Sequence, residues 1–292
     1  MSTTSPTLDT GILPDALRMG AVRLRVRDAA RSIAFYRDTV GLTLIGTEGA
    51  VTKLGVGSDV LIELEAAPNA GPHLRGATGL FHVALLVPSR VALAVVLRRL
   101  IAQGVRLGAS DHLVSEALYM DDPDGNGIEI YRDRLPGEWS WDGPTVEMAT
   151  IHLDLRSLLA EAPETIPLGE PMPDGTVVGH VHLQVGDIAT AKRFYAEHLG
   201  FDVTTDRYPG ALFVSAGRYH HHLGLNVWQS RGGNAPPAGS VGLVHYEVVL
   251  PDAAALETVR ARMSQAGESV EDIPGGLMLA DPWGTRAHFR VA

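Results

Sequence analysis

The sequence predicts an α+β fold made of four βαβββ modules arranged in two tandem pairs. Strand and helix patterns alternate in the same order along the chain, and motifs recur at a fixed spacing. Residues 26–36 (Val-x-Asp, then Phe-Tyr) return as residues 185–195, a shift of 185 minus 26, or 159. Residues 122–125 (Asp-Pro-x-Gly) return at the same shift as residues 281–284. Because this register is kept over so many residues, the pattern indicates an internal repeat.

The first module begins with an alternating apolar stretch that is typical of a strand, residues 21–26. Asp28 is a suitable N-cap for a helix over residues 29–39, and Gly41 ends that helix. Three further strands are predicted at residues 42–47, 50–54 and 60–65. The second module repeats this order, with a strand at residues 81–87, a helix at residues 89–103, and strands that lead to residues 114–120 and 127–131.

The N-terminal segment and the middle of the chain differ in amino-acid composition from the modules. Residues 1–17 are rich in Ser, Thr and Pro and are predicted to form a mobile tail. Residues 134–175 carry six prolines around one short helical stretch, residues 155–162, and are interpreted as a linker. The first two modules are therefore expected in a domain of residues 18–133, and the last two in a domain of residues 176–292.

The stretch 110–131 gathers polar groups around one tight turn. Residues 122–126, Asp-Pro-Asp-Gly-Asn, are strong turn formers, and a strand follows in which Glu129 stands between two isoleucines. An unpaired carboxylate on a half-buried face costs free energy, so Glu129 needs a cation or an opening to water. Tyr119 lies on the preceding strand with His112 just upstream. Folding about the turn is expected to bring these three side chains together.

Composition excludes several classes of function. The chain has 292 residues, 45% of them hydrophobic, which suffices for one large or two medium domains. It has no cysteine, so disulfides and thiolate metal sites are excluded. A net charge of −10 argues against nucleic acid or an anionic membrane as partner. No apolar run suits a membrane span and no signal peptide is evident, so a cytoplasmic location is expected.

The repeat and two motifs resemble the vicinal oxygen chelate superfamily, which includes glyoxalase I and the type I extradiol dioxygenases. The motifs are V-x-D, A-x-x-F-Y and L-G-F within residues 185–201, and DPDGNGIE at residues 122–129. The resemblance covers nearly the whole chain outside the tail and linker. It implies two tandem vicinal oxygen chelate domains, and within the superfamily the chain looks most like a catechol 2,3-dioxygenase. One scaffold hosts many activities, so the site must decide the function.

In this superfamily the metal ligands come from the first and last strands of paired modules. The resemblance therefore implies His82, His180 and Glu129, provided that modules 2 and 3 pack together. Two His and one carboxylate form a facial triad that binds Fe(II) and leaves positions for substrate and dioxygen. Mn(II) and Zn(II) are alternatives. Strand parity supports this set, because His82 and His180 point away from the apolar side chains of their strands.

The sequence is also compatible with other sets of metal ligands. If modules 3 and 4 pair instead, His180, His245 and His288 give three imidazoles, which is more typical of zinc. His182 shares a strand face with His180 and is a rival ligand. In modules 1 and 4, Ala21 stands in register with His180 and cannot bind a metal, so that pair is expected to be structural.

A second cluster, residues 217–226, contains three consecutive histidines. In extradiol dioxygenases a His at this point acts as acid and base toward the substrate. The resemblance favours His221, whereas proximity to the strand favours His222. Tyr119 and Glu129 show the spacing that these enzymes keep between an active-site Tyr and the ligand Glu, and His112 lies near where they keep another pocket His.

The expected function is therefore Fe(II)-dependent extradiol cleavage of a catechol-type aromatic, with the small molecule and dioxygen as the partners. One alternative is a metal-free protein that binds small aromatics. Another is a glyoxalase-like isomerase, which normally uses two Glu, although residues 220–228 offer none. No nucleic-acid or membrane partner is expected, and a homo-oligomer is left open.

Overall fold

The structure, a computed structural model, describes residues 13–292. It confirms the α+β fold of four βαβββ modules. Most of the predicted N-terminal tail, residues 1–12, lies outside the described residues. Leu13 and Leu17, at the end of that predicted tail, are buried at 5% and 4% exposure and pack against the hydrophobic core.

The first two modules follow the predicted order. Module 1 consists of β1 (Arg18–Val26), α1 (Ala29–Ala34), β2 (Thr43–Glu48), β3 (Val51–Val56) and β4 (Asp59–Ala66). Module 2 consists of β5 (Gly79–Leu86), α2 (Arg90–Ala102), β6 (Gly108–Asp111), β7 (Ser115–Asp121) and β8 (Gly127–Asp133). The helix predicted over residues 29–39 differs in one respect, because it continues beyond Ala34 as a π-helical turn, Phe35–Val40.

The last two modules repeat this architecture. Module 3 consists of β11 (Val177–Gln184), α4 (Ile188–Lys192) with a π-helical turn (Arg193–His198), β12 (Asp202–Thr205), β13 (Ala211–Ser215) and β14 (Leu223–Asn226). Module 4 consists of β15 (Gly242–Leu250), α5 (Ala253–Gln265), β16 (Val270–Ile273), β17 (Gly276–Ala280) and β18 (Arg286–Val291). In the described part of the chain, none of these helices is long and apolar enough to cross a membrane.

The modules pair crosswise in two eight-stranded sheets. One sheet has the order β16-β17-β18-β15-β1-β4-β3-β2 and joins module 4 to module 1. The other has the order β12-β13-β14-β11-β5-β8-β7-β6 and joins module 3 to module 2. The predicted pairing of modules 2 and 3 is confirmed. Its centre is the antiparallel contact between β5 and β11.

Strand parity separates the core from the opposite face of this sheet. Val83 and Leu85 on β5, with Val181 and Leu183 on β11, are fully buried in the hydrophobic core. Side chains of a strand alternate between its two faces, so the histidines between these residues project to the other face. The sequence pattern predicted this division.

A buried Tyr–Asp hydrogen bond links the two modules of each tandem pair. Tyr36 of module 1 donates its hydroxyl to Asp122 Oδ2 at 3.1 Å, and Tyr195 of module 3 donates to Asp281 Oδ2 at 3.0 Å. Burial raises the pKa of Asp122, and hydrogen bonds from Asn126 and the turn backbone oppose that rise. The predicted Asp-Pro turns therefore hold one module against the helix of another.

The predicted linker packs closely against the modules. It contains a 3-10 turn (Pro136–Glu138), the short strands β9 (Trp141–Asp142) and β10 (Thr145–Val146), and α3 (Leu155–Leu159). Trp139, Val146 and Leu158 are buried, and Ile151 forms an antiparallel bridge with Asp111 of β6. These contacts place the linker backbone next to the end of module 2.

We expect Tyr36→Phe to lower the free energy of unfolding by about 1–2 kcal/mol, because Asp122 keeps its burial and loses a donor. Urea denaturation followed by circular dichroism measures this change. Tyr208→Phe is the matched control, since the Tyr208 hydroxyl bonds Thr150 at an exposed position. Equal losses in both variants would contradict a structural role for the buried bond.

Candidate metal centre

Three side chains from adjacent strands converge on one point. The Nε2 atoms of His82 and His180 lie 2.9 Å and 3.2 Å from the same oxygen, Glu129 Oε2. One ligand atom from each residue falls within 4.8 Å of the other two, and all three residues are buried. The structure thus brings together the set that the sequence predicted as metal ligands.

The strand register explains how these residues meet. His180 on β11 lies opposite Ala84 on β5, and Ala84 lies opposite Glu129 on β8. The small side chain of Ala84 leaves space for His180 and Glu129 to reach across the middle strand. His82 precedes Ala84 by two residues, so it projects from the same face.

The geometry of His82 fits a metal better than a hydrogen bond. Its Nε2 is close to Glu129 yet has no hydrogen-bond partner with acceptable angles among the described residues. A buried polar atom without a partner is costly in a native protein, whereas a cation between the three donors would satisfy it. Two imidazole nitrogens and one carboxylate oxygen form a donor set that suits Fe, Mn or Zn.

Burial and neighbouring charges set the protonation states of Glu129 and His180. Burial alone would raise the pKa of Glu129, but the nearby His180 and His82 outweigh burial and hold it well below its usual range. Burial lowers the pKa of His180. The carboxylate is therefore ionised and the His180 imidazole neutral near pH 7, which is the state that metal ligands need.

The three donors open into a cavity of about 300 Å³ with largely apolar walls. Its aromatic wall is formed by Phe81, Tyr208, Phe213 and Trp228. This volume lies at the small end of the range for small-molecule sites. The cavity suits a compact aromatic molecule that meets the metal position with one edge.

His112 and Tyr119 form a hydrogen-bonded pair on the cavity wall. The Tyr119 hydroxyl lies 2.7 Å from His112 Nε2, and His112 Nδ1 lies 2.7 Å from the Ala149 carbonyl oxygen. Since a carbonyl only accepts, Nδ1 carries the proton and Nε2 of the neutral ring accepts from Tyr119. Burial, followed by the charge of Glu129, raises the pKa of Tyr119 well above its usual value, so its hydroxyl stays protonated.

The three consecutive histidines take different positions. The cavity is lined by His221, whose ring lies 4.2 Å from that of His180. His222 Nδ1 instead lies 2.9 Å from the Ser215 hydroxyl and 3.3 Å from the Ala216 amide. His220 is fully buried against Tyr219. The strand β14 begins only at Leu223, so strand alternation does not govern these residues.

His182 also lines the cavity, beside His82 in the register of β11 and β5. Its Nε2 has no hydrogen-bond partner among the described residues, and burial holds its pKa well below the usual range. Gly224 on the neighbouring strand β14 leaves space for the His182 ring, because a Cβ at this position would lie 2.8 Å from that ring. His182 does not belong to the group of three converging donors.

The alternative ligand set of His180, His245 and His288 does not form. His180 lies in one sheet, whereas His245 on β15 and His288 on β18 lie in the other, beside Glu247. Glu247 Oε2 accepts a hydrogen bond from Arg290 at 2.9 Å, so an arginine already supplies a cation to this carboxylate. Burial and the charge of Arg23 lower the pKa of His245 to about 4.

Sequence reasoning missed the contribution of the predicted linker to the site. Met148 and Thr150 line the cavity, and the carbonyl of Ala149 orients His112. The aromatic wall was missed as well, because its members come from four separate segments. The only signal in the sequence was their aromatic character, which is equally typical of a core residue.

Comparison with known proteins gives a consistent result. The sequence profile of the Glyoxalase/Bleomycin resistance protein/Dioxygenase superfamily matches residues 18–130 and 177–289. A Catechol-2,3-dioxygenase of Bacillus subtilis (strain 168) is 42% identical over 270 residues, which cover 90% of this chain and 93% of that protein.

Solved structures agree on the fold. Glyoxalase I from Zea mays matches with a TM-score of 0.58 at 17% identity, covering 94% of this chain and 92% of that one. The cppA protein from Streptococcus pneumoniae TIGR4 also has a TM-score of 0.58, at 11% identity, covering 94% and 97%. At such low identity these similarities bear on the fold alone.

We expect Glu129→Gln to lose most of the metal affinity, because it removes the charge and keeps the volume. The measurement is bound iron per chain after anaerobic reconstitution with Fe(II) and desalting. Glu63→Gln is the matched control, since Glu63 lies on the last strand of module 1 as Glu129 does in module 2, and it pairs with Arg23. Unchanged iron in Glu129→Gln would exclude this carboxylate as a ligand.

The buried histidines predict that stability falls in acid. Burial lowers the pKa of His222 to about 3, below the value near 6.5 of an unfolded chain. Between pH 6.5 and pH 3 the His222 ring is protonated in the unfolded state but not in the folded state. The free energy of unfolding is therefore greatest above pH 6.5 and decreases as the pH falls toward 3. Urea midpoints of metal-free protein from pH 7 to pH 4 should therefore decrease. His222→Gln should flatten this dependence, whereas replacing the exposed His73 with Gln should not.

Proposed function

The chain belongs to the Glyoxalase/Bleomycin resistance protein/Dioxygenase superfamily, and from that premise we propose that it is an Fe(II)-dependent extradiol dioxygenase that cleaves a catechol-type ring. The observation that carries the proposal is the donor set of His82, His180 and Glu129 at the end of a small aromatic-walled cavity. The 42% identity to a protein named Catechol-2,3-dioxygenase supports it.

His82, His180 and Glu129 would hold the metal, and all three line the cavity. When bound, Fe(II) supplies positive charge that lowers the pKa of catechol hydroxyls, together with open coordination positions for substrate and dioxygen. A catechol bound in the cavity would direct its hydroxyl edge at these ligands, and Phe213 and Trp228 would supply apolar surface for the rest of the ring. Water is displaced from these walls when the ring enters, which favours binding.

His221 is the proposed general base. Burial, with the neighbouring His180, holds the pKa of His221 well below its usual range, so the ring is neutral and one nitrogen has a free lone pair. A catechol hydroxyl made more acidic by a bound cation would transfer its proton to that nitrogen. It stands beside the ligand His180 on the cavity wall, where a substrate hydroxyl directed at the metal position would lie. His222, which hydrogen-bonds Ser215 outside the cavity, is given no proton-transfer role here.

Tyr119 and His112 are proposed to act together on the other side of the site. Tyr119 keeps its proton because its pKa is raised, and in the structure it donates that proton in a hydrogen bond to His112 Nε2, so its oxygen is left to accept a hydrogen bond from a substrate hydroxyl. If His112 took up a second proton at Nε2, the hydrogen bond would reverse and the Tyr119 hydroxyl could donate to a substrate oxygen. The protonation of His112 thus decides whether Tyr119 accepts from the substrate or donates to it.

Two other functions receive less support from the site. A glyoxalase-like isomerase normally uses two Glu ligands, and Glu129 is the one carboxylate among the residues that line the cavity. A metal-free binding protein would not need three buried donors directed at one point. Stoichiometric iron in the reconstituted protein would separate the second alternative from the proposal.

The test is ring cleavage by protein reconstituted anaerobically with Fe(II), mixed with catechol in air and followed by absorbance of the yellow product. We expect product from the wild type, loss of product in Glu129→Ala because a ligand is removed, and retention in His245→Ala. His245 lies in the other sheet and serves as the matched histidine control. Activity that survives Glu129→Ala and depends on His245 would refute the proposal.

A further inference from the structure

A row of polar groups runs from the cavity to the end of β8, with His221 and His220 buried and Tyr219 and Asp133 half-buried. His221 lines the cavity, and its Nδ1 lies 2.8 Å from Nδ1 of His220. Nε2 of His220 lies 2.8 Å from Asp133 Oδ1. The other Asp133 oxygen accepts the Tyr219 hydroxyl at 2.9 Å. Each contact is within hydrogen-bond distance, so the row is continuous.

The chemistry of the groups fixes the direction of these hydrogen bonds. An ionised carboxylate only accepts, so Nε2 of His220 carries a proton and donates it to Asp133. In the neutral ring, Nδ1 of His220 is then an acceptor. His221 must donate from Nδ1, which leaves its Nε2 unprotonated. Without the contact to His220, a neutral His221 ring could carry its proton on either nitrogen.

Packing holds the row in place. His220 is fully buried, with its ring 4.1 Å from that of Tyr219 and 5.2 Å from that of Trp139 in the linker. Asp133 lies on β8 four residues after Glu129, so the two carboxylates share a strand face with Tyr131 between them. The Tyr131 hydroxyl is 2.7 Å from that of Tyr219. The strand that supplies a candidate metal ligand therefore also anchors the row.

We infer that His220 and Asp133 are positioning residues that hold His221 in the tautomer with Nδ1 protonated and Nε2 free. The catalytic consequence rests on the proposed function, because the free Nε2 is what would accept a proton from a catechol hydroxyl. The tautomer itself is a property of the resting protein. The tautomer of His221 and its role in catalysis can therefore be tested separately.

The first experiment reads the tautomer without turnover. In full-length protein labelled with nitrogen-15 in its histidine rings, NMR distinguishes ring nitrogens that carry hydrogen from those that do not. Spectra of metal-free protein and of protein loaded with diamagnetic Zn(II) should show His221 protonated at Nδ1. His220→Phe, which removes the acceptor, should shift His221 toward protonation at Nε2.

The control for that experiment is His198→Phe, which removes a histidine that also pairs with a carboxylate, Glu268, outside the row. It should leave the His221 signals unchanged. Protonation of His221 at Nε2 in the wild type would overturn the inference, because it would mean that a doubly protonated His220 donates in both directions. An unchanged tautomer in His220→Phe would also overturn it.

The second experiment uses the kinetics of ring cleavage. His220→Phe should lower kcat about 10–100-fold, by analogy with the loss of a group that orients a metal ligand. KM should stay within about twofold, because the substrate contacts are intact. In a His221→Phe background the same change should have no further effect, since His220 acts through His221. Additive losses would indicate a merely structural role.

Asp133 provides a conservative variant. Asp133→Asn keeps an acceptor oxygen for His220, so it should retain more activity than Asp133→Leu, with equal bound iron in both. Equal losses in the two variants would contradict the proposed direction of the hydrogen bonds. If the wild type cleaved no catechol, the proposed function would fail, while the NMR result would still decide the tautomer.

Discussion

The antiparallel contact between β5 and β11 is the constraint on which the candidate site depends. It joins module 2 to module 3 and sets His82 opposite His182 and His180 opposite Ala84. A shift of one residue in this register would exchange the core face of a strand for its site face. Close packing supports the register, since a Cβ at Gly179 would lie 1.9 Å from the Tyr131 hydroxyl.

Charge balance is the second constraint on the site. Several imidazoles surround a single buried carboxylate, and burial keeps His180, His182 and His221 with pKa values below the usual range. Neutral rings avoid the free-energy cost of burying several like charges together. A bound cation would find ionised Glu129 and unprotonated nitrogens already in place. The ionised Glu129 among neutral rings therefore supports the proposed cation site.

The crosswise pairing of modules gives the linker a role beyond connection. Modules 2 and 3 are neighbours in sequence, and residues 134–175 join them across the sheet that carries the site. Because the linker must pass close to the end of β8, its residues are available to close the cavity, and Ala149 and Trp139 meet His112 and His220 directly. By contrast, the other sheet pairs the buried Glu63 with Arg23 and the half-buried Glu247 with Arg290.

The sequence by itself determined the modules, the parity of β5 and β11, and the placing of His112, Tyr119 and Glu129 near one turn. These features follow from local periodicity and turn chemistry, which act over a few residues. Only the tertiary structure showed that His221 and not His222 lines the cavity, because both lie in a turn before β14 where alternation does not apply. It also showed the contacts of Ala149, Trp139 and Asp133 with histidines, since such contacts join segments that no local pattern relates.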